Sequence, residues 1–259
     1  MQATPLAEKS VIVTGAASGI GRELVLAMSV ACAGVLAVDR DDRGLDETCS
    51  LVDSAKVMPL VLDVLDDKAG EGVVGGAMEA FGAVDVLVNC AGIFPSSPAL
   101  DLDAGEWDLV LGLNLRAPFL LSQAVARHMV AAKKGGNMVN VASAAGRIAR
   151  PGVVHYCTSK AGLIMLTKAL AIEWAEHDIR VNAVAPGLIE TPGVEDLLAT
   201  EEGRQEHQQK IAKIPMARTG RPGEVADTVV FLASDSASFV TGHTLFVDGG
   251  YSAGHTFRG

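Results

Sequence analysis

Short apolar runs, rich in β-branched residues, recur along the chain and alternate with longer stretches of helical periodicity. These runs cover residues 11–13, 35–38, 57–62, 84–88, 138–141, 181–184 and 244–247. They are almost continuously hydrophobic, which is typical of parallel strands that are covered on both faces. Strands that alternate with helices indicate βαβ crossovers. The pattern therefore predicts an α/β fold with a doubly wound parallel sheet of about seven strands and helices on both faces.

The third apolar run contains Pro59, which cannot donate a backbone hydrogen bond to a neighbouring strand. We therefore expect this strand at the edge of the sheet, where the order 3-2-1-4 of a dinucleotide-binding, Rossmann-type sheet would place it. No internal repeat, low-complexity linker or shift in composition divides the 259 residues. Residues 1–259 are thus expected to form a single domain.

Two long helical stretches are predicted at 106–134 and 154–176. The first follows Asp103, with Glu106 three residues later, and this spacing predicts a capping box. In the second stretch, apolar residues spread over more than one helical face. That helix is expected to pack against the sheet and against a second surface, for which a symmetric partner subunit is a candidate.

Charge, cysteine content and hydropathy disfavour several classes of ligand and several cellular locations. The net charge is −10 and the one compact basic run is Lys133-Lys134, so no nucleic-acid partner is expected. The four cysteines form no CxxC motif and the histidines do not cluster, which favours reduced thiols and no metal site. No signal-peptide pattern opens the sequence, and no uncharged apolar run approaches the roughly 18 residues of a membrane span. We expect a cytoplasmic protein without membrane association.

A glycine-rich turn separates the first predicted strand from the first helix, and it reads Thr-Gly-Ala-Ala-Ser-Gly-Ile-Gly over residues 14–21. Glycines allow a tight turn and let a pyrophosphate approach the amide groups at a helix N-terminus. Glycine spacing alone is a weak signal, but its position between a strand and a helix predicts a dinucleotide site.

The second predicted strand ends at Asp39, where a carboxylate can accept hydrogen bonds from both ribose hydroxyls of the adenosine and would repel a 2′-phosphate. The alternative is an ordinary turn aspartate, as expected for Asp41 and Asp42. Arg40 and Arg43 leave room for NADP, since an arginine can hold the phosphate. NAD is the predicted cofactor, with NADP less favoured.

Tyr156 and Lys160 are four residues apart and share one face of the second long helix. A tyrosine must lose about three pKa units, about 4 kcal/mol, to act as a base near neutral pH. One ammonium group at about 5 Å supplies about 3 kcal/mol at an effective dielectric near 20, and a positive nicotinamide ring would add to this. The pair taken alone also occurs by chance in many helices.

Several motifs in order resemble the short-chain dehydrogenase/reductase family over residues 6–250. They are the glycine turn, Asn89-Cys90-Ala91-Gly92, Asn114, Ser143, the Tyr156–Lys160 pair and Pro186-Gly187. The resemblance implies that Tyr156 is the general acid/base, and that Ser143 holds the reacting oxygen. It implies that Lys160 lowers the pKa of Tyr156 and binds the nicotinamide ribose, and that Asn114 holds a water linking Lys160 to solvent.

The resemblance also implies a set of cofactor contacts and a homotetramer, which the broad apolar faces of the two long helices favour as well. The cofactor contacts are Gly15, Ser18, Gly19, Ile20, Gly21, Asp39, Asp63, Val64, Asn89, Ala91, Gly92, Tyr156, Lys160, Pro186, Gly187, Ile189 and Thr191. By the same analogy the substrate lies against 93–95, Ala144, Ala145, Ile148 and Val153, under a lid at about 188–214. Cys90 replaces the usual second asparagine, a change expected to affect stability, and His155 is expected to point away from the substrate.

These observations predict an NAD(H)-dependent oxidoreductase that interconverts a secondary alcohol and its ketone, a small-molecule substrate that the sequence does not specify. One alternative is a 3-oxoacyl-acyl-carrier-protein reductase using NADPH, which Asp39 and the weak positive charge near 176–178 disfavour. An alternative of another class is a non-catalytic NAD(H)-binding regulator on the same fold. A pure binder has no need of the set Asn114, Ser143, Tyr156 and Lys160.

Overall fold

The computed structural model describes residues 6–52, 56–191 and 198–254. Seven strands form one sheet in the order β3-β2-β1-β4-β5-β6-β7, and every neighbouring pair is parallel. The strands are β1 (Leu6–Thr14), β2 (Cys32–Asp39), β3 (Val57–Val61), β4 (Val86–Asn89), β5 (Gly136–Val141), β6 (Ile179–Pro186) and β7 (Thr244–Val247). The predicted fold class is confirmed, with seven parallel strands.

Helices cover both faces of this sheet. They are α1 (Gly19–Ala31), α2 (Asp42–Ser50), α3 (Ala69–Phe81), α4 (Ala104–Leu111), α5 (Ala117–Ala132), α6 (Val154–Trp174), α7 (Glu201–Ile211) and α8 (Pro222–Ala233). Successive residues of β1 point to opposite faces, so Val11 and Val13 pack with α1 and α8, whereas Ile12 packs with α3 and α5. This alternation builds two cores from strands that are apolar at nearly every position.

β3 lies at the edge of the sheet, as Pro59 predicts. Pro59 is paired in register with Ala37 of β2. The ring removes a donor that would have faced a further strand, and at the edge no such strand needs it. One strand boundary was not predicted from the apolar pattern. β1 begins at Leu6, five residues before the apolar run, because the strand also contains the exposed Glu8 and the half-buried Lys9.

The first long helical stretch is less regular than predicted. It comprises α4, one π-helical turn at Gly112–Arg116, and α5. The Asp103 carboxylate accepts from the Glu106 amide at 2.9 Å, which is one half of the predicted capping box. The Glu106 side chain does not return to Asp103, because it bonds Ser97 and His155 instead.

The span Ala104–Ala132 is long and apolar enough to cross a membrane by length and composition. The sequence analysis did not identify this span, because a few charged residues interrupt its apolar stretch. In the folded chain, 44% of its most apolar window is buried, and the stretch packs against α3, α6, β4 and β5. The core helix of a soluble protein passes the same compositional test.

Candidate active site

The carboxyl ends of the strands border a cavity of about 530 Å³, a volume within the usual range for ligand pockets. If one site is to use them, the seventeen predicted cofactor residues and the four predicted catalytic residues have to meet here. All of the predicted cofactor residues except Asn89, and all of the predicted catalytic residues except Asn114, line it. Nearly all of the residues predicted from the sequence therefore border one continuous cleft.

The glycine turn forms the floor at one end of this cleft. Gly15 has φ +73°, and a Cβ there would lie 2.8 Å from the Ala91 backbone. A Cβ on Gly21 would lie 1.8 Å from the carbonyl oxygen of Gly15. The Thr14 hydroxyl accepts from the Cys90 and Ala91 amides at 3.1 and 3.2 Å, tying this turn to the end of β4. Only glycine satisfies the packing at positions 15 and 21.

The same end of the cleft suits an anionic diphosphate. Ser18 precedes α1, its side chain makes no capping hydrogen bond, and the first turn of the helix has no acidic residue. The amide groups of that turn therefore face the cleft at the positive end of the helix dipole. Thr191 lies across from Gly19, with its Cγ2 3.7 Å from where a Cβ on that glycine would be. These residues fit a dinucleotide pyrophosphate.

Charged groups of both signs line the next part of the cleft. The Asp39 carboxylate accepts from the Ala17 amide at 3.0 Å and from the Asp41 amide at 3.1 Å, so its position is fixed at the end of β2. Arg40 lies 3.8 Å from Asp63, and both are substantially exposed. An adenosine ribose here would meet both the fixed Asp39 carboxylate and the exposed Arg40 guanidinium.

Asn89 lies at the end of β4 but does not reach the cleft. Its side-chain amide donates to Ser122 at 3.0 Å and to Asn140 at 2.9 Å, and the residue is 2% exposed. These bonds direct the side chain between the sheet and α5, away from the residues that line the cleft, and a contact of Asn89 with the cofactor stays a prediction. The neighbouring Cys90 lines the cavity instead, and burial raises the pKa of its thiol to about 12.

Ser143, Tyr156 and Lys160 meet at the other end of the cleft. Ser143 follows β5 and hydrogen bonds to the Tyr156 side chain. The Lys160 ammonium donates to the Val141 carbonyl at 2.8 Å and lies 5.8 Å from the centre of the Tyr156 ring. Tyr156 and Lys160 therefore face the same side of α6, as their spacing predicts.

Burial reverses the simple electrostatic expectation for this pair. Desolvation raises the pKa of the Tyr156 phenol, and the opposing hydrogen bond from Ser143 does not offset it. Desolvation also lowers the pKa of Lys160 to about 8. The prediction that the ammonium supplies about 3 of the about 4 kcal/mol, with the nicotinamide ring adding the rest, omitted this cost of burying charge. A further positive charge beside Tyr156 is needed before it can act as a base near neutral pH.

Asn114 occupies the π-helical turn and is completely buried. Its Oδ1 accepts from the Ile93 amide at 2.9 Å, and its Nδ2 donates to the Ile93 carbonyl at 2.8 Å and to Ser159 at 3.2 Å. The π turn thereby holds the loop after β4 against α6. A Cβ on Gly92 would lie 3.0 Å from Asn114 Oδ1 and 3.5 Å from Lys160 Nζ, so glycine keeps the space between these two side chains open.

A buried polar chain braces the first turn of α6. His155 is 0% exposed, and its Nε2 lies 2.9 Å from Glu106 Oε1, which also accepts from the Ser97 hydroxyl at 2.7 Å. His155 is not among the residues that line the cavity, in agreement with the expected direction of its side chain. Phe94, on the loop that Ser97 anchors, packs edge-on against Tyr156 with ring centres 6.1 Å apart.

Known proteins resemble this chain along nearly its whole length. The family model described as Enoyl-(Acyl carrier protein) reductase matches residues 15–252. The 3-oxoacyl-acyl-carrier-protein reductase FabG of Thermotoga maritima is 42% identical over 247 residues, covering 93% of this chain and 97% of the relative. The chain belongs to the short-chain dehydrogenase/reductase family.

Further members of the family are similarly close to this short-chain dehydrogenase/reductase. The NAD-dependent glycerol dehydrogenase of Listeria innocua is 37% identical over 247 residues, covering 95% of each chain. The solved structure of a short-chain type dehydrogenase/reductase from Mycobacterium marinum has a TM-score of 0.88 at 36% identity, covering 97% of this chain and 98% of that one. The names of these relatives share oxidoreductase chemistry but differ in the substrate.

Some residues of the cleft were missed by sequence reasoning. Ile93, Phe94 and Val153 line the cavity as expected, but Pro95, Ala144, Ala145 and Ile148 are not among the lining residues. Arg150 lines it as well, and its place between Ser143 and Tyr156 in the sequence was the available signal. Of the predicted lid, Leu188, Ile189 and Thr191 line the cleft, whereas residues 192–197 lie outside the described part of the chain.

Proposed function

We propose that the protein is an NAD(H)-dependent oxidoreductase that interconverts a secondary alcohol and its ketone. The observation that carries this proposal is the joining of two sites in one cleft. The glycine turn and the N-terminus of α1 border one end, and Ser143, Tyr156 and Lys160 border the other. A dinucleotide that spans this cleft would present its nicotinamide, which supplies or accepts the hydride, beside Tyr156.

The chain's own groups then handle the proton. In ketone reduction, the Tyr156 phenol donates its proton to the carbonyl oxygen, while the Ser143 hydroxyl donates a hydrogen bond to that oxygen as negative charge develops. In alcohol oxidation, Tyr156 takes the hydroxyl proton. The Val141 carbonyl holds the Lys160 ammonium, which would bind the nicotinamide ribose, and the charge of Lys160 would stabilise the phenolate form of Tyr156.

Replacing Tyr156 with Phe tests this assignment and separates an enzyme from a binding protein. The ring of Tyr156 packs against Phe94, and Tyr156→Phe removes one hydroxyl with little change in shape. We expect turnover to fall by at least about 100-fold while NADH affinity, measured by nicotinamide fluorescence, changes little. Turnover at the wild-type rate would contradict the proposal, and a wild-type protein that binds NADH but turns over no alcohol or ketone would favour a regulator.

NAD is the proposed cofactor because Asp39 is fixed at the ribose end by two backbone amides, and a carboxylate there disfavours a 2′-phosphate. Arg40 favours the second candidate, a 3-oxoacyl-acyl-carrier-protein reductase using NADPH, and FabG at 42% identity favours it too. Asp39→Ala is expected to shift preference towards NADP. A ratio of kcat/KM for NAD and NADP that stays unchanged would show that Asp39 does not read the ribose.

A homotetramer in the cytoplasm remains our proposal for the working form. Large apolar side chains are exposed on α6, with Met165 at 62% and Ile172 at 81%. A symmetric partner packed on this face would bury them. Sedimentation at micromolar concentration should show a tetramer, and a stable monomer would refute this.

A further inference from the structure

The end of the cleft near Tyr156 has an apolar wall with one cationic side chain at its mouth. Phe94, Val153 and Leu188 provide apolar lining, and Arg150 lines the same cavity from the loop before α6. Lys160 is the other cation of this end, but it is buried and holds the Val141 carbonyl. Arg150 is exposed, so its guanidinium is available to a molecule that enters the cleft.

Among the described residues, no contact of the Arg150 side chain indicates a structural role. Arg147, three residues earlier on the same loop, lies over the Phe246 ring at 5.2 Å. Arg150 makes no ion pair, hydrogen bond or ring contact with any residue in 6–52, 56–191 or 198–254. Glu206 of α7 is near enough to feel its charge, but that carboxylate is already held by Lys210 at 2.7 Å.

The charge of Arg150 reaches the reacting centre. Its field lowers the pKa of Tyr156, although burial has the larger and opposite effect. A group bound by Arg150 would therefore lie close to the carbonyl or hydroxyl that Tyr156 serves. The protein as a whole carries a net charge of −10, which repels anions. Salt screens charges beyond about 8–10 Å, so a cation that attracts an anionic substrate has to lie within that distance of the bound anion.

We infer that the substrate carries an anionic group, a carboxylate or a phosphate, which the Arg150 guanidinium binds at the mouth of the cleft. A guanidinium is suited to this because its planar donors match either anion in a bidentate arrangement. The inference rests on the proposed oxidoreductase function and names the substrate class of that same site. The apolar wall then contacts the carbon skeleton between the anionic group and the reacting carbon.

The test compares pairs of ketones in which one member carries an anionic group and the other member is uncharged. Acetoacetate is paired with methyl acetoacetate, and dihydroxyacetone phosphate with dihydroxyacetone, so that the two arms distinguish a carboxylate from a phosphate. Reduction is followed by the absorbance of whichever of NADH and NADPH the protein binds. The wild type should have a higher kcat/KM for the charged member of at least one pair.

Three variants assign this preference to the side chain. Arg150→Met keeps the apolar stem, Arg150→Lys keeps the charge, and Arg147→Met removes an equal charge from the same loop outside the cavity. Arg150→Met should reduce the charged-to-neutral ratio of kcat/KM about tenfold, the low end for a charged hydrogen bond because the site is exposed. Arg150→Lys should restore part of that ratio, and Arg147→Met should leave it unchanged. Using the ratio cancels any effect of Arg150 on the pKa of Tyr156, since both members of a pair need the same proton.

The outcomes separate this inference from the proposed function. A ratio that Arg150→Met leaves unchanged, or that Arg147→Met lowers equally, overturns the inference. Turnover by the wild type of uncharged ketones, secondary alcohols or sugar alcohols but of no anionic compound also overturns it, while the proposed function stands. If NADH binds but no compound of either kind turns over, the proposed function fails and the inference fails with it.

Discussion

Replacing Lys160 should stabilise the folded protein while it abolishes turnover. Lys160 is 5% exposed, and burial lowers the pKa of its ammonium group from 10.5 to about 8. A lysine whose pKa is lower in the folded state binds its proton less tightly there than in the unfolded chain. Below pH 8 Lys160 is charged in both the folded and the unfolded chain, and the folded state is destabilised by the full free energy of burying that charge. This destabilisation declines as pH rises from 8 towards 10.5, because the buried lysine loses its proton first.

The size of this effect follows from the shift. The difference between 10.5 and about 8 corresponds to about 3 kcal/mol of destabilisation at pH 7, and to about 1 kcal/mol at pH 9.5. Lys160→Met removes the cost and keeps most of the apolar stem. It also removes the hydrogen bond to the Val141 carbonyl, which offsets about 1–2 kcal/mol at every pH. The net gain in unfolding free energy should be about 1–2 kcal/mol at pH 7 and close to zero at pH 9.5.

Urea denaturation of both proteins without added cofactor, at equal concentration and at several pH values between 7 and 9.5, measures this difference. The change with pH is the decisive quantity, because the lost hydrogen bond contributes equally throughout. Lys160→Arg is the matched control, since it keeps a charge at this position that does not titrate in the range. A Lys160→Met difference that is independent of pH would refute the assignment of the lowered pKa to Lys160.

Three further predictions follow from the geometry of the cleft. Thr14→Val keeps the shape of the side chain but leaves the Cys90 and Ala91 amides without their acceptor, so urea denaturation should show a loss of about 2 kcal/mol; an unchanged midpoint would contradict this. Gly21→Ala places a methyl group against the Gly15 carbonyl and should weaken NADH binding at least about tenfold in a fluorescence titration, so wild-type affinity would refute the packing argument. The raised pKa of Tyr156 keeps the phenol protonated at neutral pH, so kcat for ketone reduction should be flat from pH 6 to 8 while alcohol oxidation rises; the reverse order would exclude Tyr156 as the proton carrier.

The sequence predicted most of the fold because its signals were local. Each signal depends on the surroundings of its own stretch of backbone, as the continuous apolar strands, the proline in β3 and the glycine turn illustrate. The helix boundaries were less certain, because the π turn at 112–116 has no distinctive composition and is favoured by contacts of Asn114 with Ile93 and Ser159. These partners are distant in sequence, so only the folded chain brings them together.

The site was predicted residue by residue, and what the sequence did not predict has one physical origin. Asn89 and Asn114 are buried and use their side-chain amides to join elements of the protein, whereas their contacts with a cofactor and with a water stay predictions. Burial also reversed the expected pKa of Tyr156. Spacing along a helix predicts which side chains are neighbours, but it does not predict how much water surrounds them. Arg150 was missed because its place between Ser143 and Tyr156 in the sequence was the one signal available, and an exposed loop arginine has no distinctive pattern until the cavity beside it is seen.

The surroundings of Tyr156 and Lys160 oppose the ionisation of both side chains. Burial raises the pKa of the Tyr156 phenol and lowers that of the Lys160 ammonium, so the surrounding protein favours the neutral form of both groups. Alcohol oxidation needs the opposite, a phenolate beside an ammonium. Positive charge from an oxidised dinucleotide would shift Tyr156 towards the phenolate, and by linkage the phenolate form must then bind that dinucleotide more tightly than the phenol does. Proton release and cofactor binding are coupled for this reason, and the coupling is strong because the same burial that opposes ionisation leaves little water to screen the charges.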